Sequence, residues 1–282
     1  MERDRVLTGG ANFCILDTVS VCESRLKVVS AGNLRFFSRS LQSILEKKLG
    51  RAGTFTALVL KLRPGGGQHG KNDGFLYSQV DIYDDHMIHE VEGCREGYLK
   101  MAELVPEKTK TLLDLGCGTG LELEAIWTRN PGIAVTGIDL TSAMLERLKK
   151  KYSDRDVTLI EADYMACELG TERYDAAVSF QTLHHFTHEE KLGLYEKLWR
   201  ALKAGGCYIE CDYMAETQEQ EDYFFAEKRR LEEELKLVKG EYYHFDMPCT
   251  MDNQKRLLRQ AGFTEVEVVW RQENTTILYA NR

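Results

Sequence analysis

The sequence predicts an α/β fold, a doubly wound, seven-stranded mixed sheet with an N-terminal extension, and three observations carry that expectation. A short apolar run, Thr111-Leu112-Leu113, ends in Asp114 and breaks into Gly116, Gly118 and Gly120, the pattern of a central parallel strand turning hard into a helix. Strand-like and helix-like segments then alternate along the chain, as a doubly wound sheet requires. Two β-patterned runs, 265–271 and 275–280, close the chain and suit a hairpin.

The elements follow in order. In residues 1–73 the spacing of Phe37, Leu41, Ile44, Leu45 and Leu49 predicts a basic amphipathic helix over 34–49, and 54–62 reads as a strand. The glycine-rich stretch 64–70 then reads as a linker. These residues are expected to form a loosely ordered extension or a small partner-binding module, with the main domain over 74–282. Apolar positions between Val80 and Leu104 predict one or two helices ahead of the first strand. A helix from Leu121 is stopped by Asn130-Pro131-Gly132, and the second strand covers 133–139. A helix over 142–152 with Thr141 as its cap, a third strand at 157–161 and a fourth at 174–180 come next. Thr187-His188-Glu189-Glu190 is a capping box, opening a helix with Leu192, Tyr195, Leu198 and Leu202 on one side and a stop at Ala204-Gly205-Gly206. A fifth strand at 207–211, a charged helix over 216–238 and a helix over 251–260 closed by Gly262 complete the domain.

The chain has 282 residues, 43% of them hydrophobic, ample for a packed core. No run approaches eighteen uncharged apolar residues, and the opening MERDR is too charged for a signal or transit peptide, so a cytoplasmic protein without membrane contact is expected. Eight cysteines without a C-x-x-C pair are expected to be free thiols. The net charge of −8 divides unevenly. Residues 1–73 hold 12 Lys and Arg against 6 Asp and Glu, while 74–282 hold 25 against 39. Such an acidic surface repels a phosphate backbone, and no stable nucleic-acid partner is expected.

A dinucleotide fingerprint is G-x-G-x-x-G, but here the third glycine comes one residue early, and Asp114 suits a cation or an ammonium better than a phosphate. G-x-G-x-G preceded by Asp114, and followed about twenty residues on by Asp139 at the end of a second strand, resembles the S-adenosylmethionine site of the class I methyltransferases. The resemblance covers about residues 74–282 and implies a Rossmann-like sheet of five parallel strands with a C-terminal hairpin whose last strand inserts antiparallel. It implies that Asp139 holds the ribose hydroxyls, that Leu140 and Met144 pack on the adenine, and that Asp163, with Tyr164 and Met165, reads the adenine edge. It also implies that Gly116, Cys117, Gly118, Thr119 and Gly120 approach the methionine moiety, that Asp114 attracts its ammonium, and that Phe180 and Gln181 border the transferring methyl. Tyr77, Tyr83 and His86 are candidate lid residues, and the aromatic segment 241–248 with Phe224 and Phe225 could roof an acceptor pocket.

Methyl transfer to a small-molecule acceptor is the activity this resemblance implies. A base is needed only if the acceptor carries a proton, and His184 and His185, directly after the fourth strand, suit that role near neutral pH. His184, His185 and His188 lack an acid or thiol at ligand spacing, so no metal is expected. Two alternatives stand beside this reading. One is a carboxy-S-adenosylmethionine synthase of tRNA wobble-uridine modification, for which no arginine among Arg229, Arg230 and Arg256 is matched to the added carboxylate. The other is a non-catalytic S-adenosylmethionine-binding partner subunit. A monomer or homodimer is expected.

Overall fold

The structure, a computed structural model, describes residues 91–235 and 246–282, the stretches 83–85 and 87–89, and the backbone of 29–31, 55–57, 61–62 and 242–243. Seven strands, β1 (Thr111–Leu115), β2 (Ala134–Asp139), β3 (Val157–Glu161), β4 (Tyr174–Phe180), β5 (Leu202–Tyr213), β6 (Thr264–Gln272) and β7 (Thr275–Asn281), form one sheet in the order β6-β7-β5-β4-β1-β2-β3. The first five are parallel, and β7 enters between β5 and β6 antiparallel to both. Chain order runs one way from β1 to β3 and the other way from β4 to β5. The switch lies between β1 and β4, above whose carboxyl ends open sheets of this kind bind ligands.

Among the described residues, the helices α1 (Cys94–Leu104), α2 (Leu121–Arg129), α3 (Ser142–Lys151), α4 (His188–Ala201), α5 (Gln218–Leu235) and α6 (Met251–Gln260) accompany the sheet. The alternation Leu112/Leu113 shows why β1 is apolar throughout. Leu112 joins a core with Leu123, Ile126 and Trp127 of α2 and Met101 of α1, while Leu113 faces Leu194 and Leu198 of α4 and Leu257 of α6. A strand buried on both faces reads as a continuous hydrophobic run.

Several boundaries depart from the sequence pattern for visible reasons. Strand β5 begins at Leu202 rather than at Cys207, because Lys203 to Gly206 bulge out of the ladder between the Tyr174–Leu202 and Ala176–Cys207 pairs, with Gly205 at φ 75°. The capping box is present, with Thr187 and Glu190 each accepting from the other's backbone N–H, yet the buried face of α4 is Lys191, Leu194, Tyr195, Leu198 and Ala201, with Leu192 only partly covered. Thr141 precedes α3 but makes no side-chain cap; its backbone N–H donates to Asp139 instead. Gly93, at φ 78°, separates α1 from the helical residues before it.

Phe55–Ala57 pairs with Val29–Ala31, and Lys61–Leu62 with Tyr242–Tyr243, so the described parts of the strand expected over 54–62 are extended; residues 54 and 58–60 lie outside the described residues. The expected helix at 34–49 and the glycine-rich stretch at 64–70 lie outside the described residues. The six described cysteines are free thiols, five of them buried. No helix among the described residues is long and apolar enough to cross a membrane.

Candidate active site

The glycine turn joins β1 to α2, and its three glycines have φ values of 71°, 46° and 75°. A side chain is excluded at Gly116 by space as well, since a Cβ there would lie 2.5 Å from Thr182 Oγ1. Among the described residues, the nearest atom to a Cβ at Gly118 is Tyr83 Oη at 3.9 Å. A bare backbone is what close approach of a ligand requires. Asp139 fixes the turn to the end of β2: its Oδ2 accepts from Gly118 N at 3.0 Å and its Oδ1 from Thr141 N at 2.8 Å. Each oxygen keeps a lone pair, and Leu140 beside it is 47% exposed, an uncovered apolar surface at the place expected to meet adenine.

Asp114 is fully buried, and its carboxyl meets the buried carboxyl of Glu122. Burial, and then the neighbouring buried Glu122, push its pKa well above the usual carboxylate range, while burial raises Glu122 to about 7. Two acids placed together in a low-dielectric site favour arrival of a cation. The buried pair of acids, the glycine cradle and the half-used Asp139 together fit a ligand that is a cationic amino acid at one end and a nucleoside at the other.

The other expected cofactor residues surround this turn. Asp163 Oδ1 accepts from Met165 N at 2.7 Å, and Tyr164 turns its ring inward against Phe186 while its hydroxyl bonds to Thr182. Tyr164 therefore offers the crevice its backbone. Met144 is half-buried on α3. Phe180 stacks on Tyr98 of α1 at 4.1 Å, and Gln181 is held at φ 49° while its Nε2 donates to Thr275 Oγ1. A glutamine in the left-handed region at a strand end marks backbone strain of the kind that accumulates at functional sites. Asp84, in the leading segment, accepts from Thr119 Oγ1 and pairs with Arg147 and Lys151, which ties that segment to the turn beside Tyr83. Tyr77 and His86 lie outside the described residues.

His184 and His185 follow β4. His184 Nδ1 lies 2.5 Å from Asp212 Oδ1 at the end of β5, and Asp212 also accepts from the backbone N–H groups of Leu183 and Tyr213. Beneath it runs a buried polar network in which Tyr195 and Gln254 both donate to Glu210. Burial pushes His184 down, but Asp212 outweighs it and the pKa is raised; for His185, burial and then His184 lower it. The imidazole rings are 3.9 Å apart. Asp246 approaches both, at 3.4 Å from His185 Nδ1 and 3.7 Å from His184 Nε2.

Asp212 is the site residue that the sequence pattern missed, and the alternation Glu210/Asp212 inside an apolar strand is its signal; Asp246 lies within the segment 241–248 expected to roof the acceptor pocket, without being singled out there. The expectation that no acid or thiol completes the histidine set is also corrected, since His184–His185–Asp246 and His188–Glu221–Cys249 each bring their ligand atoms within 4.8 Å. In the second set Lys191 Nζ already sits 3.4 Å from Cys249 Sγ, and His188 pairs with Glu221 at 2.8 Å.

That ion pair fastens α5 to the body of the domain. Cys249 and then Glu221 raise His188 to about 9, so its contribution to stability is complete below the unfolded value near 6.5 and is lost as pH rises through about 9. His188→Gln should cost about 1 kcal/mol at pH 6, after discounting for its partial exposure, and almost nothing at pH 10. Denaturant titrations of both proteins at the two pH values check this; an equal gap at both contradicts it.

A general description of a methyltransferase domain matches residues 112–206. A cypemycin N-terminal methyltransferase from Streptomyces sp is 33% identical over 155 residues, which cover 50% of this chain and 60% of that one. A methyltransferase of Oceanobacillus iheyensis is 30% identical over 168 residues, 57% of this chain and 77% of that one. A carboxy-S-adenosyl-L-methionine synthase of Pseudomonas paraeruginosa is 31% identical over 173 residues, covering 55% and 68%. Among solved structures, human N-acetylserotonin methyltransferase in complex with S-adenosylmethionine has the same fold, with a TM-score of 0.55 over 74% of this chain and 56% of that one at 16% identity. The chain belongs to the S-adenosylmethionine-dependent class I methyltransferases.

Proposed function

We propose that the chain transfers a methyl group from S-adenosylmethionine to a small-molecule acceptor. The observation that carries the reading is the glycine turn, held by Asp139 beside the buried acid pair Asp114 and Glu122. Bound there, the cofactor supplies a methyl carbon on a positive sulfur, open to in-line displacement. Asp139 takes the ribose hydroxyls, Leu140 and Met144 cover the adenine, and Asp163 with the backbone of Tyr164 and Met165 reads its edge. Gly116, Cys117, Gly118, Thr119 and Gly120 line the methionine, Asp114 attracts its ammonium, and Phe180 and Gln181 border the methyl.

His185 removes the acceptor's proton in this reading. Its lowered pKa keeps it neutral at pH 7, and His184, held charged against Asp212, maintains that state by repulsion. The carboxy-S-adenosylmethionine synthase reading is less well supported, because Arg229 is exposed on α5, Arg230 is engaged with Glu227 along the same helix and Arg256 with Asn253 and Gln260 on α6. A screen of small-molecule acceptors for release of S-adenosylhomocysteine tests the proposal. Turnover dependent on an added acceptor supports it, and a non-catalytic subunit would give none. The acidic domain and the lack of a membrane-crossing helix among the described residues favour a cytoplasmic monomer or homodimer without a nucleic-acid partner.

Residues 1–73 form a separate unit in this reading, since the charge balance reverses there and every cofactor residue follows. A chain beginning at Asp73 keeps Tyr83 and Asp84 and loses the two-residue pairing with Tyr242–Tyr243. It should bind S-adenosylhomocysteine within about threefold of the full chain, a difference below about 0.7 kcal/mol by calorimetry. Insolubility or lost affinity would contradict the boundary.

A further inference from the structure

After β3 the chain makes one tight turn from Asp163 to Cys167, and a side chain of α4 holds it. Lys197 Nζ donates to the carbonyls of Tyr164 at 2.9 Å, Met165 at 2.8 Å and Cys167 at 3.0 Å. An ammonium has three donors, and here all three go to the backbone of one turn. In a trans peptide the N–H points away from the preceding C=O. The carbonyls of Tyr164 and Met165 face the ammonium, so the N–H groups of Met165 and Ala166 face the other way, onto Asp163. Met165 N donates to its Oδ1 at 2.7 Å and Ala166 N to its carbonyl at 3.0 Å. Cys167 N joins them on that carbonyl at 2.8 Å. The turn thus carries a carboxylate at its N–H end and an ammonium at its carbonyl end, the arrangement that aligned peptide dipoles favour. Its start is fixed as well, because Ala162 N donates to the carbonyl of Asp139 at 3.0 Å.

We propose that Lys197 is a positioning residue for adenine recognition: by orienting the peptide planes of this turn it holds the Asp163 carboxylate in the orientation that reads the adenine amino group. The inference rests on the methyl-transfer reading above, in which Asp163 accepts from that group. Lys197 touches neither cofactor nor acceptor in this account and acts through Asp163. The bond from Met165 N fixes one carboxylate oxygen, and it lasts only while the Met165 peptide keeps its orientation. Without the ammonium, three carbonyls gathered on one side repel one another and turn toward water, which takes Met165 N off Asp163 Oδ1. The middle of the turn stays anchored, since the Tyr164 ring lies against Phe186 and its hydroxyl bonds to Thr182. Removing Lys197 therefore releases the peptide planes and leaves the turn in place.

Calorimetry on the full chain with S-adenosylhomocysteine and with S-inosylhomocysteine, whose ring carries oxygen where adenine has its amino group, tests this. The wild type should prefer the adenosyl ligand at least about tenfold, since a site built to accept from an N–H rejects an analogue lacking it. Lys197→Met should reduce that preference at least about threefold, as should Asp163→Ala, and adding Lys197→Met to Asp163→Ala should reduce it no further. A residue that only stabilised the fold would weaken both ligands alike, so the ratio separates positioning from stability. Lys197→Gln, neutral and with two donors, should lie between wild type and Lys197→Met. A preference that falls less than about threefold in Lys197→Met, or falls further when Lys197→Met is added to Asp163→Ala, overturns the proposal. So does a wild type that does not distinguish the two ligands. If only the glutamine variant folds, an undiminished preference in it overturns the proposal. Failure of S-adenosylhomocysteine itself to bind the wild type would instead overturn the methyl-transfer reading, so the two failures are read separately.

Discussion

Asp139→Ala should weaken S-adenosylhomocysteine binding by about 2 kcal/mol or more, roughly thirtyfold in Kd. Two losses add. The carboxylate is the proposed acceptor for both ribose hydroxyls, and charge-assisted hydrogen bonds of this kind are the strong ones. It also accepts from Gly118 N and Thr141 N, so its removal frees the glycine turn from the end of β2 and leaves the turn to be ordered at the moment of binding. Asp139→Asn separates the terms, because the amide oxygen can still accept from one backbone N–H while the charge is gone; it should fall between wild type and Asp139→Ala. Calorimetry reads all three, and an unchanged Kd in Asp139→Ala would remove Asp139 from the site.

The second large effect is on turnover. His185→Gln should lower kcat about 10²- to 10⁴-fold with the acceptor that the screen returns, and leave S-adenosylhomocysteine affinity within about threefold. A packing role would move neither. Asp212→Asn tests the proposed arrangement from behind. His185 has a lowered pKa, so the acid limb of kcat/KM in the wild type should lie below pH 6.5, with activity falling as pH drops through it. Without the Asp212 charge, His184 loses the partner that raises it and becomes neutral at pH 7. The repulsion on His185 then weakens; it outweighs the smaller upward pull that Asp212 itself exerts on His185 and that is also lost, Asp246 still lifts His185, and the limb should move to higher pH. His184→Gln should move it the same way. An acid limb unmoved in both variants would show that His184 does not set the state of His185.

The proposed cofactor half of this site is local in sequence, so spacing alone brings its residues into one pattern. Strand, glycine turn and helix lie within residues 111–129, and Asp139 follows at the end of the next strand, so spacing alone aligns them. The acceptor half is assembled over long distances. Asp212 meets His184 across 28 residues, and Asp246 reaches the same histidines only because the chain returns from α5 toward α6. Periodicity reports which face of an element is apolar, and it fails where a polar side chain is buried for its partners. Lys191 is the clearest case: a helical stripe drawn through Leu192 omits it, whereas the fold buries it against Cys249 and Gln254. The start of β5 was misplaced for a related reason. Gly205-Gly206 reads as a stop, but in the sheet those residues form the outward bulge of a strand that already began at Leu202. The strained Gln181 carries no sequence signal, because its backbone angle is imposed by the strand end and by Thr275.

The central claim is that this glycine turn takes S-adenosylmethionine and not a dinucleotide, and native mass spectrometry of the full chain tests it most directly. The protein is mixed in turn with S-adenosylmethionine and with NAD at equal concentration, and the mass of the complex is read. The account predicts one bound S-adenosylmethionine per chain, a much smaller bound fraction for Asp139→Ala at the same concentrations, and no NAD adduct. A stoichiometric NAD complex, with S-adenosylmethionine unbound, would contradict it.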